Sequence, residues 1–419
     1  MNKIKLVLWA VALAIIPDIA FTQNNTNSPH TYYGYGNLAD KAFAPQRAMG
    51  GIGFGVRSPH MINPMNPASY SGIDSLTFMF DLGAMAQFAW FEDEINKERK
   101  LNGNLEYIAL QFPLMKKMGF GVGLEPVSYV GYRFGKTRKL EIEDVYVQDE
   151  YSGNGGLNKV YGSLSYDLFN RLSLGVKVAY LYGDIIRNKV EYLSESAAYA
   201  SSWTDTLRTT GLTYDFGLQY HQSVGKNKTL VVGLVYSPKI RINERIKQGV
   251  LNLSSTGVVI SSNNYTTNDS VFELAESYGL GFTFNKLYHY TFGADVLLQR
   301  WADARFYDQT NALNNRLKIN LGGEYIPNLM NNKYYNRIRY RAGLSYTNSY
   351  LKIGNSGYKE YGASLGVGLP MVDRRSFVNL AFEYFLIQPE VKANIKEQYF
   401  RLTLSYTFNE LWFFKQRLQ

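Results

Sequence analysis

From Ser75 to Phe408 the chain alternates apolar or aromatic residues with small or polar ones at a period of two. The alternation is clearest near the C-terminus, where one parity carries Phe400, Leu402, Leu404, Tyr406 and Phe408, and the other carries Arg401, Thr403, Ser405 and Thr407. Because successive side chains of a β-strand point to opposite faces, this pattern predicts strands with one apolar face and one polar or tightly packed face.

The pattern predicts 14 strands. They cover residues 75–91, 103–113, 117–137, 157–169, 172–193, 207–224, 228–252, 270–285, 288–307, 314–326, 336–351, 357–370, 375–390 and 395–408. Most are longer than the ~5–6 residues common in soluble sheets. Many exceed the ~9–11 residues that a tilted strand needs to cross a bilayer.

The connections between these segments predict the architecture. Short links such as 170–171 and 225–227 alternate with long polar ones such as 138–156 and 194–206, although 327–335 and 352–356 break the trend. An even strand number with short turns at one end and long loops at the other is typical of an outer-membrane barrel. We therefore predict an all-β fold, a transmembrane antiparallel β-barrel of about 14 strands over residues 75–408. The alternative, a soluble propeller or set of sandwiches, would need a second sheet over each aromatic face.

Composition narrows the possible functions. The chain has 34 Tyr, 24 Phe and 5 Trp, so that aromatic residues make up 15% of it, and it has no cysteine. The lack of cysteine excludes disulfides, thiolate metal sites and a cysteine nucleophile. The net charge of +9 is spread without a basic block, which argues against nucleic-acid binding. Charges predicted to face the lumen, such as Lys177, Asp215 and Arg401, should pair across it or with a plug, because buried charges need partners.

No catalytic or metal-binding constellation stands out. The four histidines, at 30, 60, 221 and 289, lack the spacing of metal ligands. No Ser/His/Asp set can be assembled with any specificity. We therefore predict that the protein is not an enzyme and uses no metal and no cofactor.

The N-terminus predicts export. Lys3 and Lys5 precede an apolar run from Leu6 to Ile16, and Ala20 and Thr22 are small residues at the positions expected before a cleavage site. This arrangement predicts a secretory signal peptide over residues 1–22. Together with the barrel, it predicts a location in a bacterial outer membrane.

The residues on either side of the predicted barrel lack the strand pattern. Residues 23–74 do not alternate, and a barrel of ~14 strands is too wide to be filled by its own side chains, since ~8 strands is the size at which they suffice. We therefore expect residues 23–74 to form a plug, or hatch, in the lumen. Residues 409–419 form an aromatic and basic tail that could lie at the membrane interface or pack under the barrel mouth.

Two motifs resemble a known family. The stretch Arg47-Ala-Met-Gly-Gly-Ile-Gly, followed by Asn66-Pro67-Ala68 shortly before the first strand, resembles the N-terminal hatch of the FadL-like outer-membrane transporters of fatty acids and aromatic hydrocarbons. The resemblance implies 14 strands, a hatch inside the barrel and a hatch motif at Asn66, Pro67 and Ala68.

Pro126 lies in the middle of the third predicted strand. Proline removes a ladder donor, so within a sheet it marks a bulge, an edge or a break. In FadL-like transporters an inward kink of the third strand opens a lateral path from lumen to membrane. The resemblance therefore implies a lateral opening at Glu125, Pro126 and Ser128, whereas the residues alone are equally compatible with a local bulge.

Two functions follow as hypotheses. The first is passive uptake of small hydrophobic molecules, fatty-acid-like or aromatic, through a hatch-gated lumen. The alternative is a non-transporting structural or scaffold barrel in an outer-membrane secretion or assembly complex. The expected partners are outer-membrane lipid, a hydrophobic small-molecule ligand and the barrel-assembly machinery during biogenesis.

Overall fold

The computed structural model describes residues 26–92, 97–139, 146–193, 200–254, 258–267, 270–287, 289–354, 356–391 and 395–412. The predicted signal peptide and the end of the predicted tail, residues 413–419, lie outside these ranges.

Most of the described chain is β-strand. The strands are β1 (Asn37–Leu38), β2 (Thr77–Glu92), β3 (Lys97–Met115), β4 (Met118–Lys139), β5 (Tyr146–Leu168), β6 (Leu172–Leu193), β7 (Ala200–Ser223), β8 (Lys228–Ser237), β9 (Ile240–Leu253), β10 (Val259–Thr267), β11 (Phe272–Leu274), β12 (Ser277–Lys286), β13 (Tyr290–Gln299), β14 (Arg316–Tyr325), β15 (Arg339–Asn348), β16 (Tyr358–Pro370), β17 (Phe377–Pro389) and β18 (Lys396–Leu411). The helices are short: α1 (Ala44–Arg47) and the 3₁₀ turns Pro29–Tyr32, Pro67–Gly72, Trp301–Asp303 and Tyr334–Asn336.

Within the described ranges these strands form a closed antiparallel barrel of 14 strands, as the alternation predicted. β8 and β9 are two halves of one barrel strand that breaks at Pro238. β10, β11 and β12 together form the next one. The last strand, β18, pairs along its whole length with β2, from Lys396 opposite Glu92 to Leu411 opposite Thr77, and closes the barrel.

The predicted strand ends were less accurate than the strand count. β5 begins at Tyr146 rather than at 157, and β7 at Ala200 rather than at 207. These extensions carry polar residues on both faces, so no alternation marks them, yet both pair with β6, which lies between them. β13 ends at Gln299 rather than at 307, because a 3₁₀ turn follows. β18 runs to Leu411, three residues into the predicted tail.

The two faces of the wall differ as the sequence predicted. On β18 the outward side chains Leu404 and Tyr406 are 49% and 39% exposed, whereas the inward Thr403 and Thr407 are fully buried. The outer face is therefore apolar and the inner face polar, which is the reverse of a soluble barrel and suits a lipid surround. None of the helices in the described ranges is long and apolar enough to cross a membrane.

The N-terminal segment, residues 26–74, packs against several strands of the wall. Its backbone touches the wall where the wall has glycine. A Cβ added at Gly175 of β6 would lie 2.3 Å from the carbonyl carbon of Pro67, and one added at Gly343 of β15 would lie 2.1 Å from the backbone nitrogen of Gly50. Because β6 and β15 are far apart around the barrel, the segment spans the lumen from one side to the other.

Candidate functional site

The motif Asn66-Pro67-Ala68 holds together the end of the N-terminal segment. The Asn66 side-chain carbonyl accepts the backbone N–H of Ala68 at 3.0 Å and so caps the 3₁₀ turn that Pro67 begins. Its amide donates to the carbonyls of Phe54 at 2.8 Å and Leu218 at 3.2 Å. Asn66 therefore joins two parts of the segment to strand β7, at the end of the barrel that carries the short connections.

Asn63, to which sequence reasoning gave no role, does similar work. Its amide donates to the carbonyls of Gly53 at 2.6 Å and Val56 at 2.9 Å, and its oxygen accepts the N–H of Met65 at 3.1 Å. Side-chain amides satisfy irregular backbone in this way without forming secondary structure. The signal in the sequence was that the pair Asn63-Pro64 stands three residues before Asn66-Pro67. The Asn63 amide bonds the loop to itself, and the Asn66 amide bonds it to strand β7 of the wall.

The wall is irregular at Pro126. Pairing between β3 and β4 ends at Leu124, opposite Ile108, and the upper half of β4 does not pair with β3. On its other side β4 pairs with β5 from end to end, with one irregularity between Pro126 and Ser128. The ladder is therefore interrupted on one side of Pro126 and continuous on the other.

The N-terminal segment covers the edge of β4 that β3 leaves free. β1 pairs with it, placing Leu38 opposite Ser128 and Asn37 opposite Tyr129. The N–H of Ala39 also donates to the carbonyl of Val127 at 2.9 Å. A lateral passage at this point would require β1 to move away, and the opening itself stays a prediction.

The predicted residue Glu125 anchors a buried charge cluster. Its carboxylate lies 2.9 Å from the ammonium of Lys159 and 2.8 Å from that of Lys177. Asp215 on β7 lies 3.3 Å from Lys41 of the N-terminal segment and 4.0 Å from Lys159. The expectation that Lys177 and Asp215 pair across the lumen or with the segment is confirmed. Sequence reasoning missed Lys41 and Lys159, because the chain places their partners far away in sequence.

A cavity lies between the N-terminal segment and the wall beside this cluster, with a volume of about 140 Å³. Its lining is largely apolar and aromatic, with a few charged groups. The apolar part comes from both the segment and the wall: Tyr35, Leu38, Phe54, Met65, Val127, Leu157, Leu181, Val235, Leu274, Leu297 and Trp301. Of the three predicted opening residues, Pro126 lines the cavity, whereas Glu125 and Ser128 are buried in contacts beside it.

Most of the charged groups at the cavity are held in ion pairs, whereas Arg316 donates to the side-chain carbonyl of Gln299 at 3.1 Å. Burial alone would raise the pKa of Asp40, but the ammonium of Lys318 beside it, with Arg47 and Arg316 further off, holds the pKa at about 2. Asp40 is therefore ionised at any physiological pH, and its charge is balanced by Lys318. A largely apolar cavity whose few polar groups are held in place by such contacts is typical of a site for an apolar ligand.

The fold is that of known hydrocarbon channels. It resembles the Pseudomonas putida toluene transporter TodX, with 15% identity, a TM-score of 0.62 and coverage of 89% of this chain and 99% of that one. It also resembles a Pseudomonas aeruginosa FadL homologue, at 14% identity, TM-score 0.61 and coverage of 89% and 99%. For the Ralstonia pickettii toluene transporter TbuX the values are 13%, 0.57, 88% and 98%. The predicted FadL-like fold is confirmed.

The sequence itself matches the family model described as BamG over residues 1–419. The chain therefore belongs to the BamG family. No curated protein matches it.

Proposed function

We propose that this protein is an outer-membrane channel for passive uptake of small hydrophobic molecules. The apolar cavity between the N-terminal segment and the wall is the observation that carries the proposal. Its volume of about 140 Å³ is close to the ~150 Å³ of an apolar protein cavity that holds benzene. A ligand the size of one aromatic ring therefore fits without rearrangement, whereas a long acyl chain needs the N-terminal segment to shift. The likeness of the fold to toluene transporters supports the same class of ligand.

In this proposal residues 26–74 act as the hatch. The segment spans the lumen, and its Asn66 amide and its paired charges fasten it to several strands. β1 lies over the free edge of β4, so that a shift of residues 37–39 would open the wall near Pro126. Passive flow suffices, since a hydrophobic molecule moves down its own gradient into the bilayer.

Ligand binding tests the proposal. Purified protein in detergent is titrated with toluene, and binding is followed by calorimetry. Val235→Trp fills the cavity from strand β8, and its matched control Leu234→Trp adds the same bulk to the outer face, where Leu234 is 48% exposed. We expect wild type and Leu234→Trp to bind toluene and Val235→Trp to lose at least tenfold in affinity. Equal binding by both variants, or none by wild type, would contradict the proposal.

One surface feature favours the second candidate, a scaffold barrel. Strand β10 continues the part of the sheet formed by β5, β6, β7 and the second half of β9, and among the described residues its ladder partners are all on β9. Its Val259, Ile260 and Tyr265 are more than half exposed. An exposed apolar edge strand is a site where another chain can add a strand.

Cross-linking in cells separates the two candidates. A photo-reactive residue is introduced in place of Tyr265, and in a control in place of Val176, an outward residue of β6. A discrete cross-linked partner at position 265 and not at 176 is expected of a scaffold. The absence of such a species, with toluene binding intact, leaves the channel as the function.

A further inference from the structure

The hydrogen-bond ladder of the wall has a second interruption, between β7 and the barrel strand formed by β8 and β9. β7 pairs with β8 from Phe216 opposite Tyr236 onward, and with β9 up to Thr210 opposite Asn243. Between these two runs, residues 211–215 of β7 have no ladder partner on β8 or β9, although all residues involved are described. At about 3.3 Å per residue, this seam is roughly 16 Å long.

Pro238 explains the break. It stands between β8 and β9 and has no N–H to donate to a ladder. It also restricts the backbone of Ser237, the residue before it, to extended conformations. On its far side the strand keeps one register across the break: β8 pairs with β12 up to Ser237 opposite Ser277, and β9 resumes with β11 at Ile240 opposite Leu274, so that only residues 238 and 239 lack a ladder partner there. The longer gap is therefore the one toward β7.

The cavity reaches this seam from inside. Its lining includes Thr213, Tyr214 and Asp215 on one edge, and Ser237, Pro238 and Ile240 on the other. Tyr214 also belongs to the outer surface, where it is 37% exposed, and its neighbour Leu212 is 51% exposed. On the inner face of the wall the seam therefore borders the cavity, and on the outer face apolar side chains surround it.

The two wall breaks differ in how they are covered. At the edge of β4, the backbone of β1 supplies ladder partners for Ser128 and Tyr129. At the β7 seam, the links are between side chains: the Ser237 hydroxyl donates to Asp215 at 2.5 Å, and Lys41 contacts the same carboxylate at 3.3 Å. Opening the β7 seam therefore requires rotation of side chains, whereas opening the β4 edge requires displacement of a backbone strand.

We propose that the seam between residues 211–215 and 237–242 is a lateral exit through which a hydrophobic ligand passes from the cavity into the bilayer. The ligand class is an uncharged hydrocarbon about the width of one aromatic ring, because the outer rim is apolar. Asp215, Ser237 and Lys41 form the inner latch. This inference rests on the proposed channel function and adds a path that does not need the hatch to leave the wall.

Two sets of substitutions, each acting on one break, test the exit. Thr213→Trp with Ile240→Trp fills the β7 seam from inside, and Val176→Trp, at an outward position of β6 away from the seam, is the control. Asn37→Cys with Tyr129→Cys, a pair outside the cavity lining, fastens β1 over the β4 edge. Paired residues of antiparallel strands lie about 4.5–5.5 Å apart at Cα, within disulfide range, and the chain has no other cysteine to interfere. Heat-modifiability on gels confirms that each variant is a folded barrel.

The readout is uptake of radiolabelled toluene by cells that lack the native gene and carry each variant. We expect the seam-filled variant to lose at least tenfold in uptake rate, and the oxidised disulfide variant to keep more than half of the wild-type rate. One outcome would place the exit at β4: the oxidised disulfide variant takes up little toluene until dithiothreitol is added, and the seam-filled variant takes it up normally. This outcome would overturn the inference but not the channel function. Normal uptake by both variants would also overturn it.

No uptake by wild type above the deletion strain would instead reject the channel function itself. If the double tryptophan variant does not assemble, Thr213→Phe alone replaces it, with the same two outcomes at smaller amplitude.

Discussion

At the scale of single residues, asparagine and histidine side chains hold the N-terminal segment in place. Asn66 makes three side-chain hydrogen bonds: its oxygen accepts one that caps the 3₁₀ turn, and its NH₂ group donates one to the segment and one to the wall. A buried group with this many partners is expensive to change, because each lost bond leaves a buried acceptor unsatisfied.

Asn66→Asp tests this role. A carboxylate cannot donate to the carbonyls of Phe54 and Leu218, and it would place a charge in a fully buried position. We expect a loss of about 3 kcal/mol or more in the free energy of unfolding, measured by urea titration of the barrel in lipid vesicles. Asn332→Asp, at an exposed position, is the control and should change little. Equal stability of the two variants would show that the Asn66 bonds contribute nothing.

His30 provides a pH-dependent contact. Its Nδ1 lies 2.9 Å from the carboxylate of Glu397, and its ring stacks on Tyr358. Burial alone would lower the pKa of His30, but the neighbouring Glu397 outweighs burial and raises the pKa above 6.5. A raised histidine pKa means that the contact stabilises fully below the unfolded value of 6.5 and is lost as pH rises through the folded value.

We therefore expect the stability of the wild-type barrel to fall more steeply than that of His30→Gln as pH is raised above 6.5. The difference between the two urea midpoints, measured from pH 6 to pH 9, should be largest at the acidic end. A difference that stays constant or grows with pH would contradict the assigned ion pair.

At the scale of elements, the register irregularity at Pro126 has unusual backbone beside it in the neighbouring strands. Gly156 of β5 has φ of 148° and faces the carbonyl of Ser128, and Gly183 of β6 has φ of 155° and faces the carbonyl of Gly156. Residues with side chains rarely adopt these backbone angles, so the close approach of β4, β5 and β6 at this point depends on glycine.

Gly156→Ala should therefore disturb this close approach. The new Cβ would lie 2.3 Å from the Ser128 carbonyl oxygen, and the backbone angle is strained for alanine. We expect a loss of about 2 kcal/mol or more in vesicle-based urea titrations. Gly162→Ala on the same strand is the matched control, since nothing lies within 4 Å of its added Cβ. If both substitutions lower the free energy of unfolding equally, the close approach of β4 and β5 does not require glycine at 156.

At the scale of the whole molecule, the period of two carried most of the information about the fold. All 14 barrel strands were predicted, because the lipid-facing side chains impose an apolar parity that runs through each one, as Leu404 and Tyr406 show on β18. The polar extensions, such as the start of β5, were not predicted, because a strand segment outside a bilayer needs no apolar face.

Short motifs singled out Asn66, Glu125 and Pro126, whose functional roles stay predictions. The cavity arises from residues that the sequence separates widely, such as Tyr35 and Trp301, and no motif marks it. The seam at Pro238 was also missed. Its proline interrupts a segment whose alternation on both sides reads as one continuous strand, and only the pairing register reveals the gap.

The central claim, that the apolar cavity carries hydrophobic molecules across the outer membrane, is tested most directly by uptake of radiolabelled toluene at low concentration in intact cells. We compare a deletion strain carrying wild type, Val235→Trp or Leu234→Trp. The account predicts that wild type and Leu234→Trp raise uptake several-fold above the deletion strain and that Val235→Trp does not. Equal uptake by the deletion strain and the strain carrying wild type would contradict it.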